Sequence, residues 1–360
     1  MASRVVLAMS GGVDSSVAAF LLKERGFDVI GLFMRTGDHA NSLDRRAKTC
    51  CSATDSLDAR AVADRLDIPY YALDFERDFQ PIVANFVSEY AQGRTPNPCA
   101  LCNVWLKFGK LWEHGRAVGA EHVATGHYAR IVHGPDGRPR VARGLDRHKD
   151  QSYVLFGLAR EVLDHVLLPI GEYTKEEVRA IARRARLPVH DKAESQEICF
   201  IPDNDYQGFV RDRLGDPDTS GPILDREGRE LGKHDGYEGF TVGQRKGLRV
   251  AAPAPLYVLE IEPSRRTVTV GPREALACAG LEATGFVWHE PEATMPCLAQ
   301  VRAHHQAVPA TVESTGEGRV RVRFDRPEPA ITPGQVVTLY RDDMVVGGGW
   351  IARALDFSKG

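Results

Sequence analysis

Ser10-Gly11-Gly12-Val13-Asp14-Ser15-Ser16 follows the apolar run Val5-Val6-Leu7-Ala8-Met9 and leads into a helix-like pattern. Two adjacent glycines permit a tight turn and a close approach of the backbone to an anion, and Ser10, Ser15 and Ser16 add hydroxyl donors. The N–H groups and positive dipole end of the following helix face the same point, so the chemistry on offer is phosphate binding. The segment does not fit the G-x-x-x-x-G-K-[ST] loop, because no lysine stands where that loop places one. Without a ligand it reads as a Gly-rich turn between a strand and a helix.

A second set of reactive types is the thiols. Thr95-Pro96-Asn97-Pro98-Cys99-Ala100-Leu101-Cys102-Asn103 holds a C-x-x-C pair behind two prolines that exclude regular helix before Cys99. Such a pair is half of a zinc site, a redox pair or two unrelated core thiols. No second C-x-x-C exists, since Cys50 and Cys51 are adjacent and Cys278 and Cys297 are solitary, which disfavours a closed structural zinc site. Cys199 lies in Ala193-Glu194-Ser195-Gln196-Glu197-Ile198-Cys199-Phe200-Ile201, a segment dense in polar residues, and by itself would serve equally as a buried core thiol.

To position these groups, strand-like runs alternate with amphipathic stretches over residues 1–203, the pattern of an α/β domain with a parallel sheet. Strands are predicted at Val29 to Met34, Tyr70 to Phe75 and His122 to Ala124, with helices from Asp55 to Leu66 and near Pro81 to Tyr90. Ligands of such sheets sit beyond the carboxyl ends of the strands, which places Met34 and Gly126 on the rim of the phosphate loop. Turn residues such as Asp203-Asn204-Asp205 and Gly215-Asp216-Pro217 open a small mixed domain over 204–275. Evenly spaced strands at Leu298 to Arg302, Ala310 to Val312, Val320 to Phe324 and Val336 to Tyr340 predict a small β-barrel over 276–360. The polar stretch Asp38 to Thr49 is expected to be a surface loop.

The 360 residues exceed one ordinary core and carry 43% hydrophobic and 26% charged residues, as a soluble multidomain protein does. Met1-Ala2-Ser3-Arg4 leads straight into a strand and no apolar run reaches membrane-spanning length, so a cytoplasmic location with no membrane partner is expected. Seven cysteines in such a chain are thiols, ligands or transient redox partners rather than a disulfide framework. A net charge of −3 argues against nucleic-acid binding by bulk charge and leaves it to local clusters, such as Arg138 to Lys149 or Arg319 to Arg326.

S-G-G-V-D-S resembles the signature of the PP-loop ATP pyrophosphatases, adenine-nucleotide α-hydrolase-like enzymes that split ATP between the α and β phosphates. The whole chain resembles the bacterial tRNA-specific 2-thiouridylases, the MnmA family. Carrying that resemblance are Cys50-Cys51-Ser52, Asp58-Ala59, T-P-N-P-x-x-x-C-N, Lys107-Phe108, Thr125 to Arg130, Lys149 to Tyr153 and Glu194 to Ile201. Further along are Gly232-Lys233-His234, Thr241 to Leu248, Pro333-Gly334-Gln335 and Gly347-Gly348-Gly349.

The resemblance implies a reaction that suits the substrate. Uracil C2=O is unreactive, so ATP with Mg2+ adenylates the oxygen, a cysteine persulfide attacks C2, AMP leaves and a second cysteine resolves the sulfur–sulfur bond. By position, Cys102 is the nucleophilic or resolving thiol and Cys199 the persulfide carrier, the two joining in a transient disulfide. Ala8, Met9, Ser10, Gly11, Gly12, Val13, Asp14, Ser15, Met34 and Gly126 match ATP contacts. Asn97, Pro98 and Cys99 match the segment facing the target base, while His127, Lys149, Asp150, Gln151, Arg302, Ala303 and Gln335 match tRNA contacts. The partners implied are the tRNAs for Glu, Gln and Lys, read at the wobble uridine, and a protein that donates persulfide sulfur.

Two departures stand out: Cys99 replaces an Asp found in many members, and Ala303 replaces an aromatic residue. Cys99, Cys102 and Cys199 together would suit three irons of an iron–sulfur cluster, which makes cluster-dependent thiolation the alternative mechanism. Rival readings are another PP-loop adenylating ligase, which needs neither Cys102 nor Cys199, and a tRNA-binding or sulfur-carrier protein with a vestigial loop.

Overall fold

Val5, Val6 and Leu7 are fully buried on both faces of their strand, the environment of a central strand in a parallel sheet covered by helices. The computed structural model describes residues 2–37, 53–194, 198–201, 205–291 and 293–356. The stretch Asp38 to Thr49, Cys50-Cys51-Ser52 and Ser195-Gln196-Glu197 lie outside the described residues. Two units divide the chain: Met1–Ile82, Cys99–Asn204 and Asp343–Val345 form one, and Val83–Pro98, Asp205–Asp342 and Val346–Gly360 the other.

The first unit opens with β1 (Arg4–Ala8), α1 (Val13–Glu24), β2 (Asp28–Arg35), α2 (Ala53–Leu66), β3 (Tyr70–Asp74) and α3 (Glu76–Ala91), the last running on into the second unit. After α4 (Pro98–Cys102) the chain takes a π-helical course over Asn103–Lys110 before α5 (Leu111–Ala117). Then come β4 (His122–Ala124), β5 (Ala129–His133), β6 (Pro139–Arg143), α6 (Arg160–Leu163), β7 (Val166–Leu167) and α7 (Lys175–Arg184). The sheet order is β3-β2-β1-β4-β7 and every pairing is parallel. Strand order therefore reverses between β1 and β4, the switch point where such sheets leave a crevice for ligands. The register pairs Ala8 with Leu32 and Leu7 with Ala124, so Ser10, Met34 and Gly126 all follow at the carboxyl edge.

Helices close over the sheet through an apolar cluster that includes Val17, Leu22, Phe33, Val62, Val178 and Ile181. The α7 helix starts at a capping box visible in the sequence as Thr174-Lys175-Glu176-Glu177. Glu177 Oε2 accepts from Thr174 N at 2.7 Å, and Thr174 Oγ1 accepts from Glu177 N at 3.3 Å. The β5–β6 hairpin, absent from the sequence-based prediction, is inserted after β4 and pairs with Met344. Its strands carry arginines and a histidine among their apolar residues, so no strong apolar alternation announces them.

The second unit holds α8 (Tyr206–Leu214) and a four-stranded sheet of β8 (Gly221–Leu224), β9 (Glu230–His234), β10 (Tyr257–Glu262) and β11 (Thr267–Gly271), ordered β10-β11-β8-β9. It also holds β12 (Ala277–Trp288), β13 (Met295–Gln300), β14 (Val308–Gly316), β15 (Arg319–Pro329), β16 (Val336–Arg341) and β17 (Met344–Leu355, from Val346 on). These follow the order β12-β15-β14-β13-β16-β17, and a β12–β17 pairing closes the ring into a barrel. Closure removes the exposed edges an open sheet would leave. Val312, Val322, Leu339, Val346 and Ile351 fill the interior and are fully buried. Leu339→Ala is expected to cost about 2–5 kcal/mol through the cavity it leaves, measured by denaturant unfolding.

Candidate active site

The turn after β1 is held from behind. Gly11 has φ +71°, and a Cβ there would come 2.2 Å from the Asp55 carbonyl oxygen at the start of α2, so only glycine fits both the backbone angle and the space. Lys192 Nζ donates to Gly11 O at 3.0 Å and to Asp55 Oδ1 at 2.6 Å, and it also binds Asp58. Gly12 caps α1 in extended conformation without a side-chain hydrogen bond to the helix. Ser15 and Ser16 hydroxyls donate to Gly12 O at 3.3 and 2.7 Å, and Ser15 Oγ accepts from Ser10 N at 3.2 Å. Gly126 lies against the other side: a Cβ on it would meet Ser15 N at 2.7 Å. Ala8, Met9 and Val13 are buried supports, whereas Ser10 is exposed and Gly12, Asp14 and Met34 are half-buried.

A chain of charges runs from the loop. Asp14 accepts from Lys175 Nζ at 2.8 and 2.9 Å and from the Tyr128 hydroxyl at 2.8 Å. Lys175, whose side chain is only 11% exposed, also pairs with Glu194 at 3.0 Å. Glu194 in turn receives Lys149 Nζ at 2.7 Å. Hydrogen bonds from Lys149 and then Lys175 outweigh desolvation and hold the Glu194 carboxyl at a pKa of about 2. Burial and the Asp14 carboxylate push the Tyr128 phenol upward, so it stays protonated and donates.

The thiols belong to the same unit. Cys99 is exposed on α4; the mass of protein around it raises its pKa, and Lys107 opposes that shift. Cys102 ends α4 and is half-buried, as is Cys199. Directly after Cys102, buried Asn103 donates to Val154 O at 3.1 Å and accepts from Lys107 at 3.0 Å, anchoring the start of the π-helical stretch. Phe200, next to Cys199, meets Phe79 edge-on at 5.6 Å. Among the described residues no three His, Cys, Asp or Glu side chains converge to hold a single metal ion.

Several residues matched to tRNA contacts are occupied in bracing the protein. His127 is buried, bonded through Nδ1 to Thr125 Oγ1 at 2.7 Å and tilted against Phe108; burial, then Lys107, lower its pKa and keep it neutral. Asp150 accepts from Gly144 N, Ser152 N, Ser152 Oγ and Arg143, which closes the loop around it. Gln151 Oε1 accepts from Tyr128 N at 2.9 Å. In the second unit, Gln335 Nε2 donates to the carbonyls of Thr95 and Pro96 at 3.0 and 3.1 Å and so fastens the approach to Asn97 and Pro98. Arg302 and Ala303 are exposed on a loop whose carbonyls accept from Gln300.

Family models match in three consecutive blocks: a tRNA methyl transferase HUP domain over 3–203, a tRNA methyl transferase PRC-barrel domain over 207–272 and an aminomethyltransferase beta-barrel domain over 279–351. The tRNA-specific 2-thiouridylase MnmA of Geotalea uraniireducens (strain Rf4) is 50% identical over 98% of this chain and 96% of its own. Those of Geobacter metallireducens and Carboxydothermus hydrogenoformans are 49% and 46% identical over 98% of this chain, covering 97% and 98% of theirs. The chain belongs to the tRNA-specific 2-thiouridylase family.

Sequence reasoning singled out the loop and the thiols of this family member but not Lys175, Lys192, Tyr128 or Asp55. Lys192 and Glu194 lie in or beside the polar segment ahead of Cys199, and Lys175 follows a helix cap, yet only the folded chain brings them to the loop. Gly11→Ala is expected to lower stability by about 1–3 kcal/mol from the left-handed backbone angle alone, read by thermal denaturation. The depressed Glu194 pKa gives stability that is complete above pH 4.5 and lost as pH falls toward about 2. The melting-temperature gap between the native chain and Glu194→Gln should therefore narrow over that window.

Proposed function

We propose that this chain replaces the C2 oxygen of the wobble uridine in the tRNAs for Glu, Gln and Lys with sulfur, consuming ATP. The observation that carries this reading is the near full-length identity to 2-thiouridylases, joined to a phosphate loop and three thiols in one unit. ATP lies with its phosphates at Ser10 to Ser15 and its adenosine side toward Met34 and Gly126. Mg2+ brought with ATP would supply neutralisation of the phosphate charge.

The uracil O2 forms a bond to the α phosphorus, the bond to the bridging oxygen breaks, and pyrophosphate leaves with the electron pair while the N3 proton passes to water. A terminal persulfide sulfur on Cys199, delivered by a donor protein, attacks C2 and displaces AMP. Cys102 thiolate then attacks the Cys199 sulfur, the bond to the base's new sulfur breaks, and a Cys102–Cys199 disulfide remains for an external reductant. Cys99, with its raised pKa, is not a base equivalent to a carboxylate. Exposed Arg302 and Ala303, with Asn97, Pro98, Lys149 and Gln151, contact tRNA, whereas His127, Asp150 and Gln335 shape the backbone those contacts use. Recognition reads a splayed base and the shape of the anticodon loop, in the cytoplasm where tRNA is.

Purified protein charged with persulfide should release AMP and pyrophosphate only with tRNA and yield 2-thiouridine by mass spectrometry, which also distinguishes oxygen-to-sulfur exchange from methyl addition. Cys199→Ser should keep tRNA-dependent pyrophosphate release and form no 2-thiouridine. A PP-loop ligase would keep its ATP-consuming activity in both Cys102→Ser and Cys199→Ser, whereas 2-thiouridine formation should be lost in each; survival of thiolation in both variants would overturn the two-cysteine mechanism. Full activity of colourless protein excludes the cluster mechanism; brown, air-sensitive activity supports it. Arg302→Ala should weaken tRNA binding with ATP binding little changed.

A further inference from the structure

The Ser10 to Ser15 loop contains no lysine, yet the fold brings one to its Asp14 from 161 residues away in sequence. Lys175, first residue of α7, reaches the second residue of α1 and binds both oxygens of Asp14 at 2.8 and 2.9 Å. Its ammonium also meets Glu194 at 3.0 Å and stands 5.6 Å from the centre of the Tyr128 ring. Two carboxylates and an aromatic face therefore hold one cation beside the first turn of α1, and a side chain this far withdrawn from solvent interacts strongly with added charge. We propose that Lys175 is the phosphate-binding cation of this site, contacting the β and γ phosphates of ATP and the pyrophosphate that leaves.

The proposal rests on the ATP-dependent reading above and goes beyond it by assigning a residue to the leaving group. Breaking the bond between the α phosphorus and the bridging oxygen leaves new negative charge on pyrophosphate, so a preorganised ammonium there stabilises the transition state more than the ground state. Lysine suits that role as a compact point charge. Asp14 and Glu194 hold the ammonium in place before nucleotide arrives, and Lys149 shares the charge of Glu194 so that Lys175 keeps attraction to spare for phosphate. Arg179, at 4.0 Å from Glu194, adds to the same balance.

The test compares ATP and AMP binding by calorimetry, with tRNA-dependent pyrophosphate release, in the native chain, Lys175→Met and Lys175→Arg. Lys175→Met should lose affinity for ATP and for inorganic pyrophosphate by roughly tenfold or more while AMP affinity stays unchanged, and turnover should fall by about 10²–10³. Lys175→Arg, which keeps the charge, should recover most of the ATP affinity and part of the turnover. Equal loss of ATP and AMP affinity, or no loss of either, overturns the assignment and makes Lys175 a structural tie for Asp14. If Lys175→Met does not fold, an unchanged ratio of ATP to AMP affinity in Lys175→Gln overturns it equally. No ATP binding by the native chain would overturn the proposed function itself, and this inference with it.

Discussion

The constraint on which the site depends is the close approach of the Gly11 backbone to the Asp55 carbonyl of α2. A phosphate loop works only if its N–H groups point at one spot before the ligand arrives, because ordering them during binding would cost conformational entropy. Here the turn is pressed between α2 on one side and Gly126 on the other, with both positions stripped of Cβ atoms. Lys192 completes the clamp by bonding the Gly11 carbonyl and the carboxylates of α2 together.

That clamp has a functional reach, because its lysine sits two residues before Glu194, the acceptor that links Lys149 and Lys175. Ion pairs at an open surface contribute little, but partners half withdrawn from water are coupled, and removing one leaves the other uncompensated. The site is therefore built as a set of shared charges. The carboxylate of Asp14 is one member of that set rather than an isolated catalytic group, and its hydroxyl partner Tyr128 belongs to the same turn as buried His127.

The same division of labour is seen in residues matched to RNA contacts whose polar groups are spent on the protein's own backbone. Asp150 accepts four hydrogen bonds within its own loop, and Gln335 bonds two carbonyls ahead of Asn97. Such residues shape the backbone that others use, so a motif match alone does not separate a side chain that touches RNA from one that positions its neighbour.

Much of this was legible in the chain itself. The buried run ending at Ala8, the glycine pair and the serines specify a strand, a tight turn and a helix through local backbone preference, and β4 occupies His122 to Ala124 as its apolar run implies. The alternating strands beyond Ala277 announce a barrel for the same local reason. Long-range pairings were not legible, since nothing near Lys175 names Asp14, nothing near Lys192 names Gly11, and the β5–β6 hairpin carries arginines where apolar alternation would have marked it. Local steric preference is written residue by residue, so sequence alone determined the strand–turn–helix of the loop and the positions of the thiols along the chain. Which charges meet at the loop depends on the strand-order reversal and the helix packing that bring distant segments together, and only the tertiary structure decided that.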